Sequence, residues 1–566
     1  MSNKILIIGE AWGKEEEKAG RAFVGLSGQE LDRMLAEAGI SRATDVVTTN
    51  LFNMRPPHNN IKHFFLSTKE AKEQGLPATY GLHLKPEYAY YLEALHQKIA
   101  DNTFETIIVC GNYPLWALAP DTTSISNDKG YKVPAGIARW RGSMLSFYSA
   151  TGPADSSSPV KLMPIYHPAA ILRQWAWRKI TVHDLKRVVK YRGKDWPLPD
   201  YTFILQPSFE TVVDWLRWEL SHIGNSLSLV HISLDLETYG GHIACIGLAI
   251  SRTEAICIPF INKDGHYWSE GEEWIVTTLL RQILTHPNFR AIGQNLLFDL
   301  QYIHRDWLCI PKVSDDTMIK HHVAFPGTPK GLDYLSSMYC RYHTYWKDEG
   351  KHWNPKTTDL ETLWAYNCKD AVITWEVNQA LQGVLDSLHL GSVYAFQMQL
   401  FPAVLRMMMR GCHIDKTMRG QLAMELMDTM LEYEQWFAAI INDDFWPAKK
   451  TPWYRSPTQQ KEIFYEVLKL PVVRDPKNEY RPTVRDEALE KLKRKEPLLI
   501  GLFTHLQEYR SLGVFLSTFV QAPLDDDLRM RCSFNITGTE TFRFSSSANP
   551  FGSGTNLQNI PTGDEE

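Results

Sequence analysis

The sequence predicts a mixed α/β protein of several domains, on three observations. The chain has 566 residues, several times the length of an average domain. Before about residue 390, short apolar runs alternate with stretches of helical periodicity, which is typical of sheets covered by helices. After that point, long amphipathic stretches such as QLAMELMDTMLEYEQWFAAI predict a mostly helical region. We therefore predict domains over residues 1–195, 202–388 and 391–566.

Composition excludes several classes of protein. Hydrophobic residues make up 44% and charged residues 22% of the chain, which is ordinary globular usage and argues against disorder or a membrane protein. The net charge of -5 means that any binding of nucleic acid depends on local patches. Eight scattered cysteines without a CxxC pair, and a first apolar run broken by Gly9 and Glu10, favour a reducing cytoplasm.

The first domain is predicted as a doubly wound parallel sheet. Its strands are predicted by the apolar runs KILIIG, DVVTTN, TIIVCG and KLMPIYH, and a helix is predicted by LSGQELDRMLAEAG. The stretch 121–159 is polar and predicts a long loop or insertion. We interpret a set of basic residues as a solvated helix face and linker, with contact to DNA phosphates as the alternative. These residues are Lys186, Arg187, Lys190, Arg192 and Lys194.

The second domain is predicted as a separate α/β core that carries acidic residues. The runs LVHISLDLE, GHIACIGLAI and EAICIPFI favour an antiparallel meander, which is joined to helices and the run FRAIGQN. Asp235 and Glu237 are two apart on a strand and therefore share a face. Asp299 follows the next strand, on the first turns of a helix. Tyr366 and Asp370 are four apart on a later helix and share a face as well.

Four acids and a tyrosine are the groups that a two-metal phosphodiester hydrolase needs. Singly, each acid fits a helix cap or a surface position. Together, DLET, NLLFD and YNCKD resemble in order the proofreading 3′–5′ exonuclease domain of the DEDD superfamily, in its tyrosine-containing branch, as found in family A DNA polymerases. The resemblance implies an RNase H-like fold and two divalent ions, Mg²⁺ or Mn²⁺. It also implies that Tyr366 orients the attacking water. The metal ligands that it implies are Asp235, Glu237, Asp299 and Asp370.

The C-terminal segment SFNITGTETFRFSSSANPFGSGTNLQNIP is similar to the family A segment that contacts primer–template DNA. Phe542 stands where that family has glycine. By the resemblance, the residues in contact with DNA are Arg543, Ser545, Asn556, Gln558 and Asn559. The family's palm aspartates and fingers lysine lie downstream of NLQNIP, so we expect no polymerisation by this polypeptide alone. Two interpretations remain open. The chain is a truncated piece of a polymerase, or it is the first half of a split polymerase whose partner is a separate C-terminal half.

The segments IIGEAWG, TTNLFNMRPP, RWRG and YHPAAILR resemble the uracil-DNA glycosylase superfamily, nearest its iron–sulfur family 4 class. The resemblance implies that Phe23 stacks on a flipped base, Asn50 reads the edge of the base, His167 stabilises the uracil anion and Glu10 positions water. Glu10, Asn50 and His167 each follow a predicted strand, which places them at the carboxyl edge of a parallel sheet. Arg173 falls where the family has its DNA-intercalating loop.

The first domain departs from this family at several positions. Trp12 stands where the family has proline, Ala11 offers no carboxylate, and Met54 replaces a cysteine of the cluster. No iron–sulfur cluster is therefore expected. A glycosylase-like fold retained for DNA binding or polymerase docking is an equal alternative to an active glycosylase.

These patterns together predict the front portion of a family A replicative DNA polymerase, of bacteriophage type. We expect it to remove 3′-terminal nucleotides from single-stranded or frayed DNA with the help of metal ions. The competing interpretation is a non-catalytic DNA-binding scaffold for a separate polymerase half. No membrane partner is expected.

Overall fold

Two sheets with parallel strands organise the first part of the chain, and helices dominate the rest. The computed structural model describes residues 4–75, 83–120, 124–126, 132–134, 136–148, 159–350, 354, 359–447, 449–476 and 480–560. Two units separate by their internal contacts, Met1–Met398 and Gln399–Glu566. The predicted mixed α/β class with parallel sheets is confirmed. Among the described residues, no helix has the length and apolar character needed to cross a membrane.

The first sheet has five strands in the order β2-β1-β5-β9-β8, all parallel except β8 at the edge. Two short hairpins, β3/β4 and β6/β7, accompany it. The strands are β1 Lys4–Ala11, β2 Val46–Phe52, β3 Phe65–Leu66, β4 His83–Leu84, β5 Phe104–Cys110, β6 Ser124–Ser126, β7 Lys132–Pro134, β8 Leu145–Phe147 and β9 Val160–Ile165. The helices are α1 Lys14–Ala19, α2 Leu26–Ala38, α3 Arg42–Asp45, α4 Thr68–Glu73, α5 Ala89–Ala100, α6 Asn112–Leu118, α7 Ile137–Trp140, α8 Pro168–Arg173 and α9 Trp177–Lys190.

Helices cover both faces of this sheet, as predicted. Leu6 and Ile8 of β1 face a core shared with α5 and α6, whereas Ile5 and Ile7 face a core shared with α2 and α9. Burial on both faces explains why β1 is a continuous apolar run rather than an alternating one. The prediction of a loop over residues 121–159 was wrong in part, because α7 and β8 form there. Residues 121–123, 127–131, 135 and 149–158 of that stretch lie outside the described residues.

The second sheet has six strands in the order β10-β13-β12-β11-β16-β17. The meander β11-β12-β13 is antiparallel, and β16 and β17 add parallel to β11. The strands are β10 Thr202–Ile204, β11 Val230–Tyr239, β12 His242–Ala249, β13 Glu254–Pro259, β14 Ile261–Asn262, β15 Gly265–His266, β16 Phe289–Gly293 and β17 Val313–Asp316. The helices are α10 Phe209–Asn225, α11 Glu270–Thr285, α12 Leu296–Trp307, α13 Thr317–Ala324, α14 Leu332–Tyr339 and α15 Leu360–Ser387.

The long helix α15 packs on the meander and shares its core. It begins at Asp359, whose carboxylate accepts a hydrogen bond from the backbone N–H of Thr362 and so caps the helix. Small side chains of the sheet, such as Cys245 and Cys257, pack with Cys368 and Ala371 of α15. Because these side chains are small, the helix backbone comes close to the strands.

The remaining region is mostly helical, as predicted, with a few short strand pairs. Helices α18 and α20 continue into π-helical turns at Glu462–Val467 and Leu516–Val520. The helices are α16 Gly391–Arg410, α17 Lys416–Ile440, α18 Pro457–Lys461, α19 Asp486–Lys495 and α20 Ile500–Phe515. The strands are β18 Cys412–His413, β19 Arg474–Asp475, β20 Arg481–Pro482, β21 Arg529–Met530, β22 Cys532–Asn535 and β23 Ser545–Ala548.

Candidate active sites

Three acidic side chains meet where β11 faces α15. Asp235 and Glu237 lie on β11 and Asp370 lies on α15, and each offers a carboxylate oxygen within 4.8 Å of the others. Leu236, between the two strand acids, is buried, as alternation along the strand requires. Within the described part of the chain, this is the one cluster of three or more acidic, histidine or cysteine side chains that could hold a metal ion. We call these three residues the acid cluster.

A glycine allows α15 to approach the acid cluster. Gly247 pairs with Asp235 across β12 and β11, and a Cβ at this glycine would lie 2.6 Å from Oδ1 of Asn367. Asn367 lies on α15, and its Nδ2 donates to the carbonyl of Asp235 at 3.1 Å and to Oδ2 of Asp235 at 2.9 Å. The amide therefore anchors the helix to the strand and orients the Asp235 carboxylate.

Asp299 lies beside the acid cluster and faces the strand backbone. It stands in the first turns of α12, and its Oδ1 accepts a 3.0 Å hydrogen bond from the N–H of Leu236. This N–H belongs to the residue between Asp235 and Glu237. The structure therefore brings all four predicted acids to one place, with Asp299 next to the group of three.

Two residues that the sequence analysis missed contact Asp370. Nε1 of Trp346 donates a 2.6 Å hydrogen bond to Oδ1 of Asp370, and Nζ of Lys347 contacts Oδ2. Lys347 also donates to the hydroxyl of Tyr366 at 3.1 Å and lies over the ring of that tyrosine, 5.1 Å from its centroid. Tyr366, predicted to share a helical face with Asp370, therefore does so, and one lysine contacts both. No spacing rule connects residues so far apart in the chain, and the sequence carried no signal for this contact.

Burial and mutual repulsion shift the protonation of these groups. Burial and the neighbouring Asp370 raise the pKa of Asp235 to about 7, and burial with Asp235 and Asp370 raises the pKa of Glu237 well above its ordinary value. Burial and Asp235 do the same for the pKa of Asp299. Burial alone would lower the pKa of Lys347, but the surrounding acids outweigh it and raise that pKa. Each shift shows that the cluster is short of positive charge.

The acid cluster fits a divalent cation on its donor chemistry. Hard cations such as Mg²⁺ and Mn²⁺ prefer carboxylate oxygens, and three of them converge here from two rigid elements. The ammonium of Lys347 already contacts one of these carboxylates, which shows that the cluster accepts a positive charge. Asp235, Glu237 and Asp370 would hold such an ion, with Asp299 adjacent.

A second group of polar side chains converges at the carboxyl edge of the first sheet. Gly9 on β1 pairs with Asn50 on β2, and a Cβ on this glycine would lie 2.3 Å from Oδ1 of Asn50 and 2.7 Å from Cζ of Phe23. The ring of Phe23 stacks on that of His167, with 6.1 Å between centroids. The absence of a side chain at Gly9 therefore leaves room for the Asn50 amide and the Phe23 ring to approach each other.

His167 also lies beside a carboxylate, that of Glu10. At Gly111, a Cβ would lie 2.5 Å from Oε1 of Glu10 and 3.4 Å from Cβ of His167. The structure thus gathers all four residues predicted for the glycosylase-like pocket, Glu10, Phe23, Asn50 and His167. Glu10 and Asn50 lie within the last residues of their strands rather than after them, since β1 and β2 run to Ala11 and Phe52.

The environment sets the charge of two of these residues. Burial raises the pKa of Glu10 to about 7, although backbone N–H groups and Arg173 oppose the rise. Burial and then the charge of Arg173 lower the pKa of His167 to about 4, so the imidazole is neutral at pH 7. Nδ1 of His167 accepts a 3.1 Å hydrogen bond from the N–H of Ala169. The proton of the neutral ring is therefore on Nε2, which is a hydrogen-bond donor.

Exposed apolar side chains that the sequence analysis did not single out flank Arg173 along the chain. Arg173 ends α8, and its charge acts on both Glu10 and His167. Leu172 is 45% exposed and Trp175 is 59% exposed. Large exposed apolar side chains suit insertion between stacked bases. Position 12, where the family has proline, is half-buried, and the N–H of Trp12 donates to the carbonyl of Met54 at 3.2 Å.

The C-terminal segment folds around a short hairpin. Ser545 pairs with Asn535 across β23 and β22, and Phe542 adopts a φ of 61°, a region in which glycine is favoured. The side chain of Asn556 accepts a 3.1 Å hydrogen bond from the N–H of Gln558. Asn556 and Ser545 are half-buried. The other three residues predicted to contact DNA are exposed, and these are Arg543, Gln558 and Asn559.

Three family profiles match successive parts of the chain. The profile of the uracil DNA glycosylase superfamily matches residues 2–187, that of a 3′-5′ exonuclease matches residues 219–386, and that of DNA polymerase family A matches residues 421–566.

Individual relatives follow the same division. The type-4 uracil-DNA glycosylase of Archaeoglobus fulgidus is 30% identical over 200 residues, which cover 35% of this chain and 82% of that protein. The corresponding enzyme of Thermotoga maritima is 28% identical over 197 residues, or 34% of this chain and 81% of that protein. DNA polymerase I of Synechocystis sp. is 27% identical over 318 residues, or 54% of this chain. The matched stretch spans 30% of that polymerase.

Proposed function

Because this chain belongs to the uracil-DNA glycosylase superfamily through residues 2–187 and carries exonuclease and DNA polymerase family A domains after them, we propose that it proofreads during DNA replication. Its reaction is the removal of nucleotides from a DNA 3′ end by hydrolysis of the terminal phosphodiester. The observation that carries this proposal is the convergence of Asp235, Glu237 and Asp370 within 4.8 Å, with Asp299 beside them.

The residues of the acid cluster and their neighbours would have different roles in hydrolysis. Asp235, Glu237, Asp299 and Asp370 would hold two divalent ions, which supply activation of the attacking water and stabilisation of the leaving 3′ oxygen. Burial and the neighbouring acids raise the pKa of Tyr366, so its hydroxyl keeps its proton and orients the water through hydrogen bonds. Asn367 holds the Asp235 carboxylate in place through the 2.9 Å bond from its Nδ2.

A matched pair of variants tests this function. We expect the chain to shorten a single-stranded oligonucleotide from its 3′ end in Mg²⁺, and Asp235→Ala to lose this activity by at least about a thousandfold, because a bound ion loses a ligand. Asp264→Ala serves as control, since Asp264 is an exposed acid of the same domain outside the cluster. No 3′ shortening by the wild type in Mg²⁺ would instead favour the alternative of a non-catalytic DNA-binding scaffold, and equal shortening by wild type and Asp235→Ala would exclude the acid cluster as the site of hydrolysis.

The geometry of the first domain favours a second activity, excision of uracil from DNA. Phe23 would stack on the flipped base, Asn50 would read its edge, and neutral His167 would donate from Nε2 to the oxygen of the departing uracil anion. Glu10, with a pKa of about 7, would position the attacking water. The observation that carries this proposal is that the four side chains form a chain of contacts. Asn50 and Phe23 meet at Gly9, Glu10 and His167 meet at Gly111, and Phe23 stacks on His167.

Chelation separates the two activities. We expect a single-stranded oligonucleotide with one internal uracil to gain an alkali-sensitive site in EDTA, where hydrolysis dependent on metal ions is silent. His167→Ala should abolish this site, whereas Asp235→Ala should leave it unchanged. Absence of the site in wild type, with 3′ shortening restored by Mg²⁺, would identify the first domain as a binding module.

A further inference from the structure

Two consecutive residues of the chain belong to the cores of two different domains. Tyr345 is buried in the core of the first domain, where its ring lies 5.3 Å from that of Trp140. Trp346 is buried in the core of the second domain and donates its indole N–H to Asp370. Both residues lie in a stretch after α14 that we call the bridging segment, residues 341–348. This segment therefore connects the first domain directly to the acid cluster.

Backbone hydrogen bonds fasten the bridging segment to the first domain. The N–H of Met144 donates to the carbonyl of His343 at 2.7 Å. The N–H of Tyr345 donates to Oγ of Ser143 at 3.1 Å. Both partners stand between α7 and β8, in the stretch that the sequence predicted to be a loop. The segment is thus held by the connection between α7 and β8.

Three arginines of the first domain add bonds to the second. Arg139 donates two hydrogen bonds to Asp348, at 3.0 and 2.8 Å, from the end of α7 to the end of the bridging segment. Arg141 donates to Oγ of Ser337 at 2.9 Å, and Arg187 donates to the carbonyl of Cys340 at 2.8 Å. The interpretation of Arg187 as part of a solvated face was wrong, because Arg187 is buried in this contact.

We propose that the glycosylase-like domain positions the acid cluster through the bridging segment, with Arg139 as a positioning residue that acts on Asp370 through Asp348, Lys347 and Trp346. The inference rests on the proposed nuclease function. Its physical basis is that a carboxylate which holds a metal ion depends on the hydrogen bonds that orient it. The orienting indole of Trp346 lies two residues from Asp348. Nη1 of Arg139 donates to both carboxylate oxygens of Asp348, and these charge-assisted hydrogen bonds restrain its position.

The test breaks the ion pair and measures the acid cluster without relying on catalysis. In the full chain, Arg139→Ala and Asp348→Asn should each weaken Mn²⁺ binding, measured by calorimetry without DNA, by about threefold to tenfold. Hydrogen exchange of the peptide that covers residues 341–350 should become faster. The charge-swapped double variant Arg139→Asp/Asp348→Arg should recover both properties. Lys179→Ala, which removes an exposed ion pair with Glu37 in the same domain, should change neither.

The outcomes separate the inference from the function on which it rests. Unchanged Mn²⁺ affinity and unchanged exchange in folded Arg139→Ala and Asp348→Asn would overturn the inference, whatever the nuclease activity. Weaker Mn²⁺ binding and faster exchange in both variants, with recovery in the swap, support it. If the chain then shows no nuclease activity that depends on Asp235, the proposed function fails while the coupling between the domains stands.

Discussion

Trp346 and Asp370 are joined by a 2.6 Å hydrogen bond between the indole Nε1 and the carboxylate Oδ1, and both side chains are buried. The bond occupies one oxygen of Asp370 and leaves Oδ2 in contact with the ammonium of Lys347. Because the indole is fixed in the core of the second domain, it determines which way this carboxylate points.

Removal of this donor should misorient Asp370 without unfolding the domain. Trp346→Phe keeps an aromatic ring in the core but loses the hydrogen bond. We expect nuclease kcat to fall about tenfold or more and Mn²⁺ affinity to fall by a similar factor. Trp274→Phe, at an exposed position of the same domain, is the control. Full activity with normal Mn²⁺ affinity in Trp346→Phe would show that the bond does not orient Asp370.

Lys347 should stabilise the protein most when no metal ion is bound. Its ammonium contacts Asp370 and is surrounded by carboxylates that repel one another. We expect Lys347→Met to lower the melting temperature in EDTA and to lower it much less in saturating Mn²⁺, because the ion supplies the missing positive charge. Calorimetric scans in both buffers measure the difference. Lys347→Arg should behave like wild type, and an equal loss with and without Mn²⁺ would argue against this role.

The raised pKa of Glu10 predicts the direction of a pH effect. Its folded-state pKa of about 7 lies above the ordinary value of 4.5, so the folded state binds more protons than the unfolded state between these values. The stabilisation from this group is complete below pH 4.5 and is lost as the pH rises through 7. Relative to Glu10→Gln, wild type should lose at most about 3 kcal/mol of unfolding free energy between pH 5 and 8.

Thermal unfolding of both proteins across this pH range measures the effect. Contributions from other groups, including His167, cancel in the comparison. A difference between the two proteins that stays constant with pH would mean that Glu10 titrates as it does in water.

The exposed side chain of Trp175 should affect the rate of uracil excision only in paired DNA. Trp175 is 59% exposed, two residues after Arg173, and suits insertion into the space that a flipped base leaves. We expect Trp175→Ala to slow excision of uracil from duplex DNA by about tenfold or more, the rate equivalent of losing a stacking contact. Excision from a single strand, where the base is already unstacked, should change little. Equal losses on both substrates would assign Trp175 to the pocket instead.

Arg543 should contribute a contact to DNA phosphate. It is exposed beside the β22/β23 hairpin and its charge is available to DNA. We expect Arg543→Ala to weaken primer–template binding for all sequences alike and to reduce the slope of log K against log salt by about 1. Arg543→Lys should keep the slope. The measurement uses an Asp235→Ala background in EDTA, which prevents degradation, and an unchanged slope in Arg543→Ala would exclude the contact.

The acid cluster was predictable from the sequence because its signals are local. Asp235 and Glu237 follow strand alternation, and Tyr366 and Asp370 follow helix periodicity. The order of the motifs DLET, NLLFD and YNCKD along the chain then predicted the type of the second domain. The pocket of the first domain was predictable in the same way, since Glu10, Asn50 and His167 accompany strands that end at one edge of the sheet.

The contacts of the bridging segment were not predictable in this way. Trp346 and Asp370 are 24 residues apart, and Arg139 and Asp348 are 209 residues apart. The stretch predicted as a loop is polar in places, and its described residues form a one-turn helix and three strands of three residues each, so its pattern favoured a loop. Arg187 is one of several basic residues whose pattern along the chain is typical of a solvated helix face. It is nevertheless buried, because the second domain covers it.

By itself, then, the sequence determined the α/β class, the order of the three family resemblances and which acidic and pocket side chains lie together, since periodicity and residue type act over a few neighbouring positions. Only the tertiary structure decided that Lys347 and Trp346 stand against Asp370 and that Arg139 ties this site to the first domain. Such contacts depend on how whole elements pack, and packing brings together side chains that no local pattern relates.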